Sequence, residues 1–275
     1  MVRCRVRVLV FLCAVAALAA LASYMFASYI DEAAASANYL SLGFDHVFVP
    51  STRPHIARRK FMSTLLRSQG IPHGFFPATA AYDIDHPDAY SFWLGEEHWP
   101  PPENATLSAP DLAAFRTHMN VINDVIRLEY ASALVLGDQV DIAADIKQQM
   151  HSIAKRLPAT WDLVLLGHCA AQAALRPTHF HPRVSVAADP KCVFAYALSR
   201  ACAVRLKRVL DRMWPAPPMP FAQVLGDMVA SLFLEAYAVD PPLVALVHRT
   251  PSDLYAPSFY MLGNSTLDRL GLLSR

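Results

Sequence analysis

The chain has no excess of either charge. Its 24 Lys and Arg residues meet 23 acidic residues, a formal net charge of +1. The basic footprint that nucleic-acid binding requires is therefore missing. Five cysteines in 275 residues are too few for a disulfide-built scaffold. No segment repeats at solenoid or propeller length. The sequence contains no Gly-x-Ser-x-Gly elbow, P-loop, Gly-x-Gly-x-x-Gly or His-Glu-x-x-His. Hydrolase, NTPase, dinucleotide-cofactor and zinc-protease readings thus have no motif to rest on. Charged residues make up only 17%, whereas 54% of the chain is hydrophobic and 10% aromatic. That composition excludes a disordered protein and supplies material for a large core. The 21 prolines cluster in connections.

One long apolar run is present near the start. Arg3, Arg5 and Arg7 precede Val8 to Ile30, which carries no charge until Asp31 and Glu32. At about 1.5 Å per residue in a helix, such a run spans a bilayer core. It predicts a signal anchor at 8–30, a basic cytosolic tail at 1–7 and a stem at 31–44. The alternative is a cleaved signal peptide, with Ala20-Leu21-Ala22 before Ser23 as the cleavage site. Either reading sends the rest of the chain into the secretory pathway. It would stay in a Golgi or endoplasmic reticulum membrane if anchored, and be secreted if cleaved. Two glycosylation triplets suit that compartment, at Asn104 and Asn264. Cys169, Cys192 and Cys202 fall on the lumenal side, an odd number.

From Asp45 onward, short apolar runs alternate with helical patterns. Residues 46–49, 133–136 and 163–166 read as buried strands, and 193–198 as strand-like. Helices are expected at 56–69, 111–129, 142–157, 201–213 and 223–237. Residues 78–107 form a long irregular stretch with Pro100-Pro101-Pro102. The alternation predicts an α/β domain over 45–255 with a mainly parallel central sheet, followed by a loosely packed tail at 256–275. Ligands of such sheets bind beyond the carboxyl ends of the strands. Attention therefore falls on Arg53 to Arg59, Asp138 to Asp141, and His168.

Several motifs occur in a telling order. Arg58-Arg59 follows the first strand, Thr117-His118 lies on a helix, and Ala133 to Val140 is a strand running into an acidic turn. Trp161-Asp162 leads through a strand to Gly167-His168-Cys169. Cys192-Val193-Phe194-Ala195-Tyr196-Ala197-Leu198-Ser199 comes next. Together they resemble glycosyltransferase family 25, which includes lipopolysaccharide and collagen galactosyltransferases, and especially its fungal members. The resemblance covers roughly residues 46–250. It implies a GT-A-like nucleotide-sugar-binding fold and transfer of a hexose, galactose in the family's named members, from a UDP-sugar to a glycan or protein acceptor. It also implies a divalent cation, Mn²⁺ or Mg²⁺, which neutralises the donor diphosphate and needs hard oxygen ligands.

The chain departs from the family where that chemistry would sit. The expected Glu-Asp-Asp is Gly137-Asp138-Gln139, and Ala222 stands where an Asp often follows Phe221. The resemblance implies Asp138 as a metal ligand; Asp141, outside the matched pattern, is the candidate second ligand. Arg58 or Arg59 would steady the diphosphate, His118 would contact substrate, and Asp227 would act as base. Each has a plainer alternative: a helix-capping turn for Asp138, a solvated helix face for the arginines, a satisfied partly buried histidine for His118. Cys169 and Cys192 either form a disulfide or remain buried thiols, with Cys202 unpaired and inward. Two functions follow. One is a membrane-anchored transferase with an altered site. The other is a non-catalytic member that has lost the cation and binds glycan or partner proteins, an active relative among them.

Overall fold

A computed structural model of the chain describes residues 41–85, 106–169, 175–190, 192–247, 262 and 264–271, together with the isolated positions Leu21 and Ser23. Apart from those two positions, the apolar run 8–30 lies outside the described residues, as do Asn104 and most of the 78–107 stretch. Among the described residues no helix is long and apolar enough to cross a membrane.

The chain opens with β1 (His46–Ser51), α1 (Ile56–Ser68), β2 (Gly74–Pro77), α2 (Ala81–Asp85) and α3 (Ala109–Arg127). It continues with β3 (Ser132–Leu136), β4 (Val140–Ile142), α4 (Ile146–Ala154), β5 (Leu163–Gly167), β6 (Leu175–Pro177) and β7 (Val184–Ala187). Then come β8 (Ala195–Ser199), α5 (Arg200–Met213), α6 (Phe221–Ala230), β9 (Ala236–Val239), β10 (Val244–Leu246) and α7 (Thr266–Arg269).

Eight strands form one sheet in the order β2-β1-β3-β8-β5-β9-β7-β6. β1 is parallel to β2 and β3, and β5 to β9. β8 is antiparallel to β3 and β5, and β7 to β9 and β6. Six of the eight strands therefore point one way and β7 and β8 the other. The expected α/β class and dominant strand direction hold, but the sheet is mixed. The reversed β8 runs straight into α5, with Ser199 Oγ accepting from Cys202 N at 3.1 Å as the helix cap.

Alternation along the strands makes two cores. Val47, Val49, Leu134, Leu136, Val164 and Leu166 face the layer holding α1 and α4. Phe48, Val135, Leu163, Leu165, Tyr196 and Leu198 face the layer holding α3, α5 and α6. Both faces are covered, which is why these strands read as continuous apolar runs.

Three boundaries differ from the sequence reading. The helix expected from residue 142 begins at Ile146, because Val140–Ile142 pairs antiparallel with β10. The helix expected over 223–237 ends at Ala230; Leu232 takes φ +60°, and Ala236–Val239 is a fully buried strand. A short apolar run can be either element, and here the sheet claims it. The stem expected through residue 44 ends earlier, since Leu42 and Phe44 are buried in the core.

The expected loose tail is also corrected. Asp141 is buried, and its Oδ1 accepts from Ile142 N at 2.8 Å and Leu267 N at 3.2 Å, while Oδ2 accepts from Ser265 Oγ. Ala143 bridges Ser265, and Thr266 and Leu267 are buried. Residues 264–270 are thus clasped to β4, and Asp141 serves the scaffold.

The most distinctive motifs are scaffold too. Asp162 is buried, bonded to Arg205 and accepting from Glu235 N at 2.9 Å, so it ties the start of β5 to α5 and β9. A Cβ on Gly167 would come within 2.6 Å of the Val244 carbonyl, so only glycine allows β10 this close. His168 is buried with Nε2 donating to Val239 O at 2.9 Å, and burial lowers its pKa. Cys169 is disulfide-bonded to Cys192 with Cα atoms 5.8 Å apart; Cys202 is buried and unpaired.

Asp141→Ala should lower unfolding stability by about 1–3 kcal/mol, because buried donors lose their acceptor. Urea unfolding of both proteins tests this, and an unchanged midpoint would remove the clasp. Reduction of the disulfide, which closes a loop across a separation of 23 residues, should cost about 3 kcal/mol in the same measurement.

Candidate functional site

The carboxyl ends of β1 and β3 lie side by side. Phe48 pairs with Val135, so Ser51 falls level with Asp138, three residues on in each strand. Ser51 Oγ donates to Asp138 Oδ2 at 2.9 Å. Beyond β1 the chain turns through Thr52–His55 into α1. The His55 ring lies 2.9 Å from Thr52 Oγ1 and 3.6 Å from Asp138 Oδ2 through Nδ1. One turn into α1, Arg58 places NH1 3.5 Å from Asp138 Oδ1. With its amide oxygen turned to Arg58, Gln139 accepts from Nε at 3.0 Å and NH2 at 3.1 Å.

Arg58 and its neighbour have different work. Arg59 donates through NH1 to Thr52 O and through NH2 to Arg53 O at 2.9 Å. It braces the β1–α1 loop from within, so of the expected pair only Arg58 reaches Asp138.

A cleft of about 510 Å³ opens at these strand ends. Such a volume suits a small ligand. Pro50, Gly137 and Asp138 line one side, Thr79 and Thr117 another, and Phe194 a third. Cys192 also borders it, so the disulfide anchors that third wall. Thr79 is buried, its Oγ1 without a hydrogen-bond partner among the described residues, while its N–H donates to Thr117 Oγ1 at 3.0 Å. Unspent buried hydroxyls are uncommon, and this one lies on a residue that borders the cleft.

His118 lines the cleft from α3. Nδ1 lies 2.8 Å from Tyr196 Oη, and the ring stacks on Phe221 with centroids 4.3 Å apart. Burial lowers its pKa to about 4, so at neutral pH the ring is uncharged. It can shape the wall and hydrogen-bond a ligand, but it cannot compensate a negative one.

The remaining assignments separate from the cleft. Asp227 is exposed on α6 and is not among the residues lining it. Asp141 is committed to the C-terminal clasp. The Asn264 side chain is half-buried, with Oδ1 accepting from Arg269 NH2 at 2.7 Å. Sequence reading gave no role to Ser51, His55, Thr79 or Tyr196. Only the register of β1 against β3 aligns Ser51 with Asp138, and no local pattern signals it.

The donor set does not fit the divalent cation that the acidic turn suggests. A hard cation needs several oxygen ligands. Asp138 is the one carboxylate on the described cleft wall, and Ser51, His55 and Arg58 already surround it. Gly137 offers no side chain, and Gln139 is turned to Arg58. Among the described residues no three His, Cys, Asp or Glu side chains gather as a metal site.

Burial also lowers the pKa of His46, His168 and His181. Between about pH 6.5 and 4 the unfolded chain therefore binds more protons at these rings and at His118 than the folded one does. Their contribution should be full above pH 6.5 and fall as pH drops. Urea unfolding at pH 7 and pH 5 should show the loss, and His118→Gln should lessen it. An identical pH slope in that variant would contradict the buried neutral ring.

The model of glycosyltransferase family 25 (LPS biosynthesis protein) matches residues 44–213, well over half of the chain. Procollagen galactosyltransferase 1 of Danio rerio is 24% identical over 231 residues, covering 78% of this chain and 38% of that protein. The probable inactive glycosyltransferase 25 family member 3 of Bos taurus is 26% identical over 226 residues, covering 75% and 37%. The chain thus matches under two fifths of those relatives' length. A crystal structure of a glycosyltransferase involved in glycosylation of the major capsid of PBCV-1 aligns at a TM-score of 0.39 and 14% identity, covering 71% of this chain and 82% of that one. With the family model running from Phe44, two residues before β1, to the end of α5, and so across the strand ends that carry Ser51 and Asp138, the chain belongs to glycosyltransferase family 25.

Proposed function

We propose that the cleft at the ends of β1 and β3 is the donor site of a hexosyltransferase that uses a UDP-sugar, galactose being the sugar named in one relative. The acceptor is a hydroxyl of a glycan or protein. The observation that carries this reading is the position of Asp138, Ser51 and Arg58 at the carboxyl ends of parallel strands, beside a ligand-sized cleft, inside the family 25 region. The GT-A type of nucleotide-sugar binding belongs to the same proposal. So does the membrane setting: residues 8–30 would anchor the domain on the lumenal side of the Golgi or endoplasmic reticulum.

In this reading Arg58 steadies the diphosphate. Asp138, the carboxylate on the cleft wall, takes the acceptor proton in place of Asp227. The acceptor oxygen forms its bond to the sugar's anomeric carbon as that carbon's bond to the phosphate oxygen breaks. UDP leaves with the bonding electron pair.

A second reading is favoured by one specific observation: the cleft's one described carboxylate is already ringed by Arg58, His55 and Ser51. A member so altered would bind glycan or an active relative without turnover. A relative described as probable inactive is among the matches.

UDP release from a panel of UDP-hexoses with glycan and peptide acceptors separates the two. The transferase reading expects turnover by the native chain, reduced about 100-fold or more in Asp138→Asn. If the native chain is silent while Gly137→Glu with Gln139→Asp gains turnover, the non-catalytic reading replaces it.

A further inference from the structure

The misfit between the acidic turn and a divalent cation has a positive counterpart. The segment following β1, residues 52–60, carries Arg53, His55, Arg58, Arg59 and Lys60 and no acidic residue. It leads from Thr52 on the cleft wall into α1, whose first turn is also free of acidic side chains. A helix start of this kind favours a nearby anion. Within the segment, Arg59 is fixed to the loop carbonyls of Thr52 and Arg53, which holds the turn in shape. Arg58 is the member aimed at the Asp138 turn at the edge of the cleft, with 36% of its side chain exposed.

The two replaced positions complete the arrangement. Gln139, where the family pattern has Asp, presents a neutral oxygen to two nitrogens of the Arg58 fork. That oxygen orients the guanidinium and does not cancel its charge. Gly137, where the pattern has Glu, adds no second carboxylate beside Asp138 to repel an anion. The geometry points to a cleft that binds the diphosphate of its ligand without a divalent cation, the Arg58 guanidinium standing where the metal charge would otherwise be needed. A guanidinium is suited to this, since it never deprotonates and its NH1, 3.5 Å from Asp138 Oδ1, lies outside the two bonds to Gln139.

The inference rests on the donor-site reading but can fail separately from it. The test is calorimetric titration of the full-length chain in detergent with UDP and, separately, with inorganic pyrophosphate, each in EDTA and in Mn²⁺. The expected result is UDP affinity equal within about twofold in the two conditions, and weakened about 10- to 100-fold by Arg58→Ala in both. Arg58→Lys, which keeps charge and loses the fork, should fall between. Gly137→Glu with Gln139→Asp should make binding depend on Mn²⁺; a Cβ on Gly137 would come to 3.4 Å from Phe194 O, ordinary contact, so a side chain can begin there without a clash.

UDP binding only with Mn²⁺ would overturn the inference and leave the donor reading standing. Metal-free UDP binding unchanged in Arg58→Ala, with folding verified by circular dichroism, would also overturn it. Pyrophosphate binding in EDTA without UDP binding would uphold the metal-free cradle and refute the nucleotide reading. No binding of either probe in either condition would refute both.

Discussion

A lone carboxylate at the end of a central strand must be compensated, and the way Asp138 is compensated organises the site around it. Its charge sits 14% exposed, too enclosed for water alone to solvate it cheaply. Ser51 supplies a hydrogen bond from the neighbouring strand, His55 a nearby ring, and Arg58 a full positive charge from α1. All three come from the short stretch that ends β1 and begins α1. That stretch is therefore held against the β3 turn by electrostatics as well as by the apolar layer beneath it. Arg59 stiffens the loop from inside, so the Arg58 fork is presented from a braced platform.

The wall opposite depends on scaffold residues that carry no chemistry themselves. Gly167 lets β10 and Phe194 close against β5, and the Cys169–Cys192 bond then ties the chain just before Phe194 to the strand end. Phe194 O in turn accepts from Gly137 N at 2.7 Å, beside Asp138. A motif dense in Gly, His and Cys thus governs the cleft's shape at one remove. The buried His168 fits that role, because its Nε2 is committed to the Val239 carbonyl.

The α3 wall illustrates how a polar residue can be placed for ligand contact while remaining uncharged. His118 stacks on Phe221 and meets Tyr196 Oη, whose own ionisation burial suppresses. A charged ring there would be desolvated without a carboxylate to pair with. The positive charge of the site consequently gathers on the β1–α1 side, and the α3 side stays neutral. That division matches a ligand with an anionic end and a hydroxyl-rich end.

Much of this was legible in the chain itself. Buried strands at 46–49, 133–136 and 163–166, the amphipathic helices after them and the Arg58–Asp138 region as the place of interest all follow from apolar patterning and motif order, because local propensity and global burial agree there. The tertiary structure alone decided the rest. Asp141 and Asp138 stand three residues apart and look interchangeable in sequence, yet one faces the cleft and the other the C-terminal clasp. Asp227 shares a helix with the cleft's neighbour Phe221, yet its side of that helix faces water. Residues 236–239 could have continued a helix until β5 and β7 offered their backbone edges. Ser51 meets Asp138 only through the parallel register of two strands separated by more than eighty residues. Such outcomes depend on which faces long-range pairing brings together, and a one-dimensional pattern records the composition of a face without recording what it will meet.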